Sequence, residues 1–228
     1  MSTAQDAIKT QNSPVKLWLI QFLLKEYDFF EHSLNIKSRI VILVAAFVLL
    51  PSLIFPLWRM TFTSNQYPDG LRLAIYAHQL EGAKTSGRDD LREINSLNHY
   101  IGMRPLLEHE FSEFTWLPFA IGVLILLSLR AIVIGKMSKL VDVFALFTWF
   151  GLYSFWGFYH RLYDYGHKLD PQAAIKVPPF TPPLIGTEQV GNFTVVSTPD
   201  IASFALITFG VLLFVAIWLS RKVEAEAS

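Results

Sequence analysis

The stretch Ile40–Trp58, IVILVAAFVLLPSLIFPLW, carries no charged residue, and its length is about that needed to cross the ~30 Å hydrocarbon core of a bilayer. Pro51 and Pro56 fall inside it. They predict a bend toward its end, which a membrane helix tolerates because neighbouring helices re-satisfy the freed carbonyls. Three further stretches read the same way. Trp116–Ile134 has one charge, Arg130, near its end, where a long side chain can reach the headgroups. Leu140–Tyr159 has Asp142 close to its entrance, and Ile201–Leu219 is closed by Arg221 and Lys222. A soluble globule would need four buried helices with scarcely a polar face between them. The expected fold is therefore an all-α membrane protein with four transmembrane helices.

Composition agrees. The 228 residues are 52% apolar, 14% aromatic and 17% charged, against roughly 45–50% apolar and 25% charged in ordinary soluble domains. Nineteen basic residues balance nineteen acidic ones, without the basic excess of a nucleic-acid binder. The chain has no cysteine. That removes disulfides, thiolate metal sites, iron–sulfur clusters, covalently attached haem and cysteine nucleophiles.

Basic residues set the expected orientation. Lys136 and Lys139 lie in the tiny connection between spans two and three, beside Arg130. Lys9, Lys16, Lys25, Lys37 and Arg39 precede span one, and Arg221 and Lys222 follow span four. All fall on one side of a four-span chain, which makes that side cytoplasmic and puts both termini inside. The expected organisation is a cytoplasmic segment over 1–39, a membrane domain over 40–220 and a cytoplasmic tail over 221–228. Two long connections, 59–115 and 160–200, face outward and hold the excess of acid. Before the first span, Val15–Leu34 places Leu17, Ile20, Leu24 and Phe29 near one face. This predicts an amphipathic helix lying on the membrane surface or docking a partner subunit. No cleavable signal is visible, since the first apolar run starts late and lacks a small-x-small exit.

The outer segments differ in grammar. After the turn Tyr67-Pro68-Asp69-Gly70, Leu71–Leu80 reads as a short helix and Gly82–Gly87 as a polar loop. Asp90 and Glu93 then form an N-terminal capping pair for a helix over Leu91–Tyr100, with Leu91, Ile94, Leu97 and Ile101 at helical spacing. The second outer segment contains Val177-Pro178-Pro179-Phe180-Thr181-Pro182-Pro183-Leu184-Ile185-Gly186. Paired prolines favour extended, polyproline-like backbone, so an outer strap is expected.

Few residues carry a chemical signature. Five of the six histidines and two of the four methionines fall on the outer side. His99 and Met103 are four apart and share a face if the helix continues through Gly102. An imidazole and a thioether suit copper, especially Cu(I), and Met is equally a packing residue. In the third span Trp149, Tyr153, Trp156, His160, Tyr163 and His167 follow one another at spacings of three and four. They form one stripe if the helix runs past the membrane and Gly166 does not break it. Such a stripe lines a quinone, lipid or cofactor pocket, or is a packing seam topped by interfacial aromatics. Arg161 and Asp164, three apart, are placed to pair at the surface. Glu108, Glu110 and Glu113 alternate with His109 as a solvated face or a hard-metal site. No phosphate loop, zinc-protease helix or serine elbow occurs, and no ionisable group sits at the centre of a span.

From about Phe55 to Trp218 the chain resembles a family of small multi-pass membrane proteins that accompany the accessory genes of bacterial nitrous-oxide reductase. The blocks that carry the likeness are Pro56-Leu57-Trp58-Arg59, Tyr67-Pro68-Asp69-Gly70-Leu71 and Ile94-Asn95-Ser96-Leu97-Asn98-His99-Tyr100-Ile101-Gly102-Met103. They continue in Tyr163-Asp164-Tyr165-Gly166-His167-Lys168-Leu169-Asp170-Pro171, Pro182-Pro183-Leu184-Ile185-Gly186 and Pro199-Asp200. The resemblance implies the inner membrane of a bacterium and an association with copper-enzyme maturation or a respiratory chain. It supplies no catalytic residues. His99, Met103 and His167 all lie in its blocks and are the expected metal residues. Three roles follow as expectations. One is a non-catalytic protein that handles copper or supports assembly of a periplasmic copper or electron-transfer enzyme. A second is a metal-free accessory subunit of a larger membrane complex. The third is a membrane enzyme or quinone- or lipid-binding subunit using the aromatic stripe. Expected partners are membrane lipids and other membrane or periplasmic subunits, with no nucleic acid.

Overall fold

The computed structural model describes Trp18, residues 27–85 and residues 87–227, with side chains as far as Arg221. Among the described residues four helices are long and apolar enough to cross a membrane. In chain order the α-helices are α1 (Ile36–Val48), α2 (Asp90–Tyr100), α3 (Glu113–Ile134), α4 (Met137–His167) and α5 (Ile201–Ala227). The strands are β1 (Trp58–Thr63), β2 (Leu71–Ile75), β3 (Leu80–Gly82), β4 (Lys84–Thr85), β5 (Arg88–Asp89), β6 (Gly186–Val190) and β7 (Phe193–Pro199). Helix dominates, as the spans require. The all-α expectation is nevertheless corrected by a five-stranded antiparallel sheet in the order β3-β2-β1-β7-β6.

The first span runs Ile36–Leu53 rather than Ile40–Trp58. It starts early because the Asn35 side chain caps it, accepting from the Ser38 N–H at 2.7 Å. It stops early because Pro51 turns the chain into a 3-10 turn, Leu50–Leu53, and Trp58 is already the first residue of β1. α1 packs on α5 and α3, and α4 packs on α5 and α3. The α1–α5 seam is built from small residues: Ser38, Ala45 and Ala46 are buried from one side, Ala216 and Ser220 from the other. Ser38 Oγ donates to the Ala216 carbonyl and accepts from Ser220 Oγ, both at 2.8 Å. Small side chains let backbones approach, which is how helices associate where no hydrophobic force separates protein from lipid. The tight turn between α3 and α4 uses Gly135 at φ 68°, and a Cβ there would collide with the Arg39 guanidinium. Leu34 N–H donates to its carbonyl at 2.7 Å, and Lys136 pairs with Glu31. Of the amphipathic helix expected over Val15–Leu34, residues 27–31 are helical. Most of the remainder lies outside the described residues, as do residues 1–14.

α4 extends through Tyr163 and Gly166 to His167, well past the expected end at Tyr159. Its 31 residues measure about 46 Å at 1.5 Å each. The surplus beyond a ~30 Å membrane core is a platform for the sheet: Leu162 joins Met60, Leu71, Leu73, Leu80, Ile94 and Val195 in a second apolar core, and Phe158 meets Trp58 edge-on at 5.2 Å. The expected helix over Leu71–Leu80 is instead β2, a turn and β3. Leu71 and Leu73 face this core while Arg72 faces out, the period of a strand. The expected Gly82–Gly87 loop holds the end of β3 and β4, which pairs with β5. α2 forms where the spacing predicts it, but its N-cap is Asp89, whose side chain accepts from Leu91 N–H at 3.1 Å. Asp90 has a different task. It is 1% exposed, accepts from Arg72 N–H at 2.9 Å and from Arg88 Nε at 2.8 Å, and so ties α2 to β2 and β5.

Replacing Asp90 with Ala leaves the Arg72 amide unpaired and the Arg88 charge uncompensated. With Arg88 one-third exposed, the expected cost is about 2–3 kcal/mol. Thermal unfolding in detergent should show a clear fall in Tm, and an unchanged Tm would remove Asp90 from this role.

Candidate functional site

Between the spans and the sheet lies a cavity of about 1410 Å³, larger than the ~300–1,000 Å³ of most small-molecule sites. Its lower part is lined by Leu117 of α3, Phe147 and Phe150 of α4, and Leu206 and Ile207 of α5. Its upper part lies against the sheet and α2, reaching Met60, Leu73, Leu80, Ile94 and Leu97. Phe180 and Pro182 of the proline segment also line it. That segment is the extended strap expected from its prolines. It is held where the Phe180 N–H donates to the Gly166 carbonyl at 3.1 Å, and a Cβ on Gly166 would collide with the Phe180 carbonyl.

The wall contributed by α4 runs from Phe147 to Tyr165 and takes in Phe150, Gly151, Tyr153, Ser154, Phe155, Gly157, Phe158, Arg161 and Leu162, a broad band of the helix surface. Two glycines make room along it, since a Cβ added to Gly151 or Gly157 meets nothing within 4 Å. Polar groups on this face are few. Arg161 donates through Nε and Nη2 to the two carboxylate oxygens of Glu113, each at 3.1 Å, and its guanidinium lies 5.4 Å from the Phe111 ring centre. A bidentate pair of this kind is strong and geometrically fixed. Deeper, Ser154 Oγ is buried without a hydrogen-bond partner. At the sheet, the Tyr67 hydroxyl donates to Glu93 at 3.0 Å. Burial first, then this hydrogen bond, holds the phenol above its ordinary range.

The stripe expected to line a pocket sits elsewhere on α4. Trp149 and Trp156 are 73% and 63% exposed, and of the stripe only Tyr153 reaches the cavity. Trp156 stacks on His160 at 6.1 Å and Tyr163 on His167 at 3.8 Å. Arg161 does not pair with Asp164, as its spacing had suggested. Glu113 takes the arginine, and Asp164 pairs with Lys168 at 2.6 Å. Glu108 accepts from Leu80 N–H at 3.2 Å instead of standing with His109.

The expected metal residues are distributed as follows. α2 ends at Tyr100, and Gly102 turns the chain at φ 80°, so His99 and Met103 are not on one continuous helical face. His99 is exposed and Met103 half-buried, with Met103 lining the cavity. The turn is fastened to the start of the strap region: Asp170 N–H donates to Gly102 at 2.8 Å and Ile175 N–H to Tyr100 at 2.9 Å. His167 ends α4 just before that segment, its Nδ1 3.0 Å from the Tyr163 carbonyl. Among the described residues no three His, Cys, Asp or Glu side chains gather into a metal-sized group.

Sequence reasoning did not single out Ser154 or the two glycines, and it set Glu113 beside His109 rather than with Arg161. The signal for them was small and polar residues at helical spacing, Gly151, Ser154 and Gly157, on the face opposite the large aromatics. Together these features define a chain with four helices long and apolar enough to cross a membrane and an apolar cavity between them and a five-stranded sheet. No family model, curated protein or solved structure matches the chain.

Proposed function

We propose that this protein binds a long-chain amphiphile, a lipid or a quinone, in the cavity between its spans and its sheet. The protein acts as a non-catalytic binding subunit of a bacterial inner membrane. The observation that carries this is the cavity itself: an apolar space continuous from the spans to the sheet, widened by Gly151 and Gly157 and bearing polar groups at few points. Ligand sites are apolar with a small number of placed polar groups, and this one has both. The exposed aromatics of α4, Trp149 and Trp156 among them, suit lipid or a neighbouring subunit.

The sheet faces the periplasm in this proposal and both termini face the cytoplasm. Arg39, Lys136, Lys139 and Arg221 stand at the opposite end of the bundle from the sheet, the side that basic residues mark as inner. Handling of copper through His99, Met103 and His167 is a second reading. It is supported by the hydrogen bonds that join the turn bearing Met103 to the segment following His167.

Three measurements test these readings. Organic extracts of detergent-washed protein should contain an amphiphile equimolar with the chain, and Gly157→Leu, which fills open space, should lose it. An equal yield from both proteins would exclude the cavity. Because the chain has no cysteine, single cysteines report topology cleanly. An impermeant maleimide should label Asn192→Cys in spheroplasts, and Lys37→Cys only after permeabilisation; the reverse would invert the orientation. Titration with Cu(I) should show binding that the double variant His99→Ala/Met103→Ala abolishes, and unchanged stoichiometry would remove that assignment.

A further inference from the structure

α4 meets two neighbours along the cavity, and the two seams are closed differently. On the α3 side, Trp116 packs edge-on against Phe150 at 5.9 Å and its ring centre lies 5.6 Å from that of Tyr153. Arg161 then pairs with Glu113. On the α5 side the ring contacts are Phe144 with Phe214 at 6.4 Å and Phe147 with Phe209 at 5.0 Å. Beyond Phe147 toward the sheet, no aromatic pair, hydrogen bond or ion pair joins α4 to α5 among the described residues. Resting on the lipid- or quinone-binding reading above, we propose that this stretch of the α4–α5 seam is a lateral portal. A membrane-resident amphiphile passes through it between the bilayer and the cavity.

Two rows of residues meet at one level and part at the next. Phe147, Gly151 and Phe155 follow at intervals of four on α4, and Gly210, Ile207 and Ser203 at intervals of three and four on α5, so each row keeps to one side of its helix. The rows touch at Phe147 and Gly210, where an added Cβ would meet the phenylalanine ring at 2.6 Å. One turn further, a Cβ added to Gly151 meets nothing within 4 Å. Phe155 and Ile207 both line the cavity and are 51% and 59% exposed, whereas Phe147, Phe150 and Leu206 are half-buried. Leu152 and Phe204, three residues before each, are exposed and do not line the cavity. The exposed surface therefore runs from the cavity onto the outer face of both helices. Tyr153 is exposed as well, but Trp116 engages its ring across the other seam.

The rim suits an apolar tail. No charged residue occurs from Val143 to Tyr159 on α4 or from Ile201 to Ser220 on α5. The proline strap is the competing entrance, because Ile175 and Ile185 are also exposed and line the cavity. It is fastened along its length, however. Asp170, Ile175 and Phe180 N–H groups donate to Gly102, Tyr100 and Gly166, and the Leu184 carbonyl accepts from Ser197 Oγ at 3.0 Å. Entry there breaks such bonds and takes the tail out of the bilayer into water, at a cost that grows with the apolar area exposed. The α4–α5 seam requires neither.

The full chain, purified in detergent, is loaded with deuterated dioleoyl phosphatidylcholine or, in parallel, deuterated ubiquinone, and mixed with an excess of the unlabelled compound in micelles. Native mass spectrometry reads the rate of exchange and the final occupancy. A portal residue changes entry and exit together and leaves occupancy alone. Ile207→Trp, which adds bulk at the rim, should slow exchange several-fold, and Phe155→Ala, which trims it, should speed exchange several-fold, both at unchanged occupancy. Ile185→Trp on the strap should leave the rate as it is. A rate unmoved by Ile207→Trp or by Phe155→Ala overturns the portal, and slowing by Ile185→Trp alone moves the entrance to the strap. Lowered occupancy in a rim variant makes that residue part of the binding wall and likewise overturns the portal. In each of these cases, occupancy lost in Gly157→Leu keeps the binding reading in place. Occupancy by neither compound, or occupancy that Gly157→Leu does not reduce, removes the binding reading and the portal with it.

Discussion

The antiparallel pairing of β1 with β7 is the constraint on which the rest depends. The two strands continue directly from membrane helices, β1 a few residues after the first span and β7 immediately before α5. Their register runs from Trp58 opposite Pro199 to Thr63 opposite Thr194. The junction is fastened further where the strands meet the helices: Asp200 N–H donates to Leu57 at 2.9 Å, Ala202 N–H to Pro56 at 3.1 Å and Ser203 Oγ to Leu57 at 2.6 Å. Arg59 and Asp200 add an ion pair at 2.7 Å. Segments far apart in the chain are thereby held side by side, and α1 and α5 must lie against each other beneath them. The small-residue seam of Ser38, Ala45, Ala46, Ala216 and Ser220 lets them do so.

That close pair leaves the bundle lopsided. α1 and α5 approach through alanine and serine, whereas α4 meets its neighbours through phenylalanines such as Phe147 and Phe150. Phe147 packs edge-on against Phe209 at 5.0 Å, and a Cβ on Gly210 would run into its ring. Further along α4, Gly151, Ser154 and Gly157 line the cavity, and the two glycines leave open space beside the helix. The sheet spans the top of this gap because β2 and β3 add to the outer edge of β1 and reach α2. The cavity thus lies where small residues of α4 face the underside of the sheet.

The spans were legible in the sequence because a run of apolar residues of membrane length has few other uses. The strands were not, for a physical reason visible in each. Leu71-Arg72-Leu73-Ala74-Ile75 is short enough to suit either period, and a strand is decided by its partner, β1, whose first residue, Trp58, closes the expected first span. Val190-Gly191-Asn192-Phe193 is a two-residue hairpin turn, with Gly191 at φ 56°, between runs of β-forming residues. The cavity wall and the aromatic stripe lie on different faces of α4, meeting at Tyr153. In water the largest apolar stripe marks the inside of a protein. In a membrane lipid is as apolar as the core, so Trp149 and Trp156 can face outward, and small residues mark where something else must fit.

Electrostatics completes this picture. The outer segments hold more acid than base, which at first suits a cation. Yet Asp90 is taken by Arg88, Asp200 by Arg59, Glu113 by Arg161 and Asp164 by Lys168, and Glu93 and Glu108 accept from Tyr67 and the Leu80 amide. Most of the acid near the cavity is therefore committed within the fold, and a free cation would have to compete with ion pairs already formed. What the cavity offers a ligand is shape, apolar length and polar contacts of no net charge. With its nearby charges already paired, the apolar length of the cavity weighs more there than attraction between opposite charges.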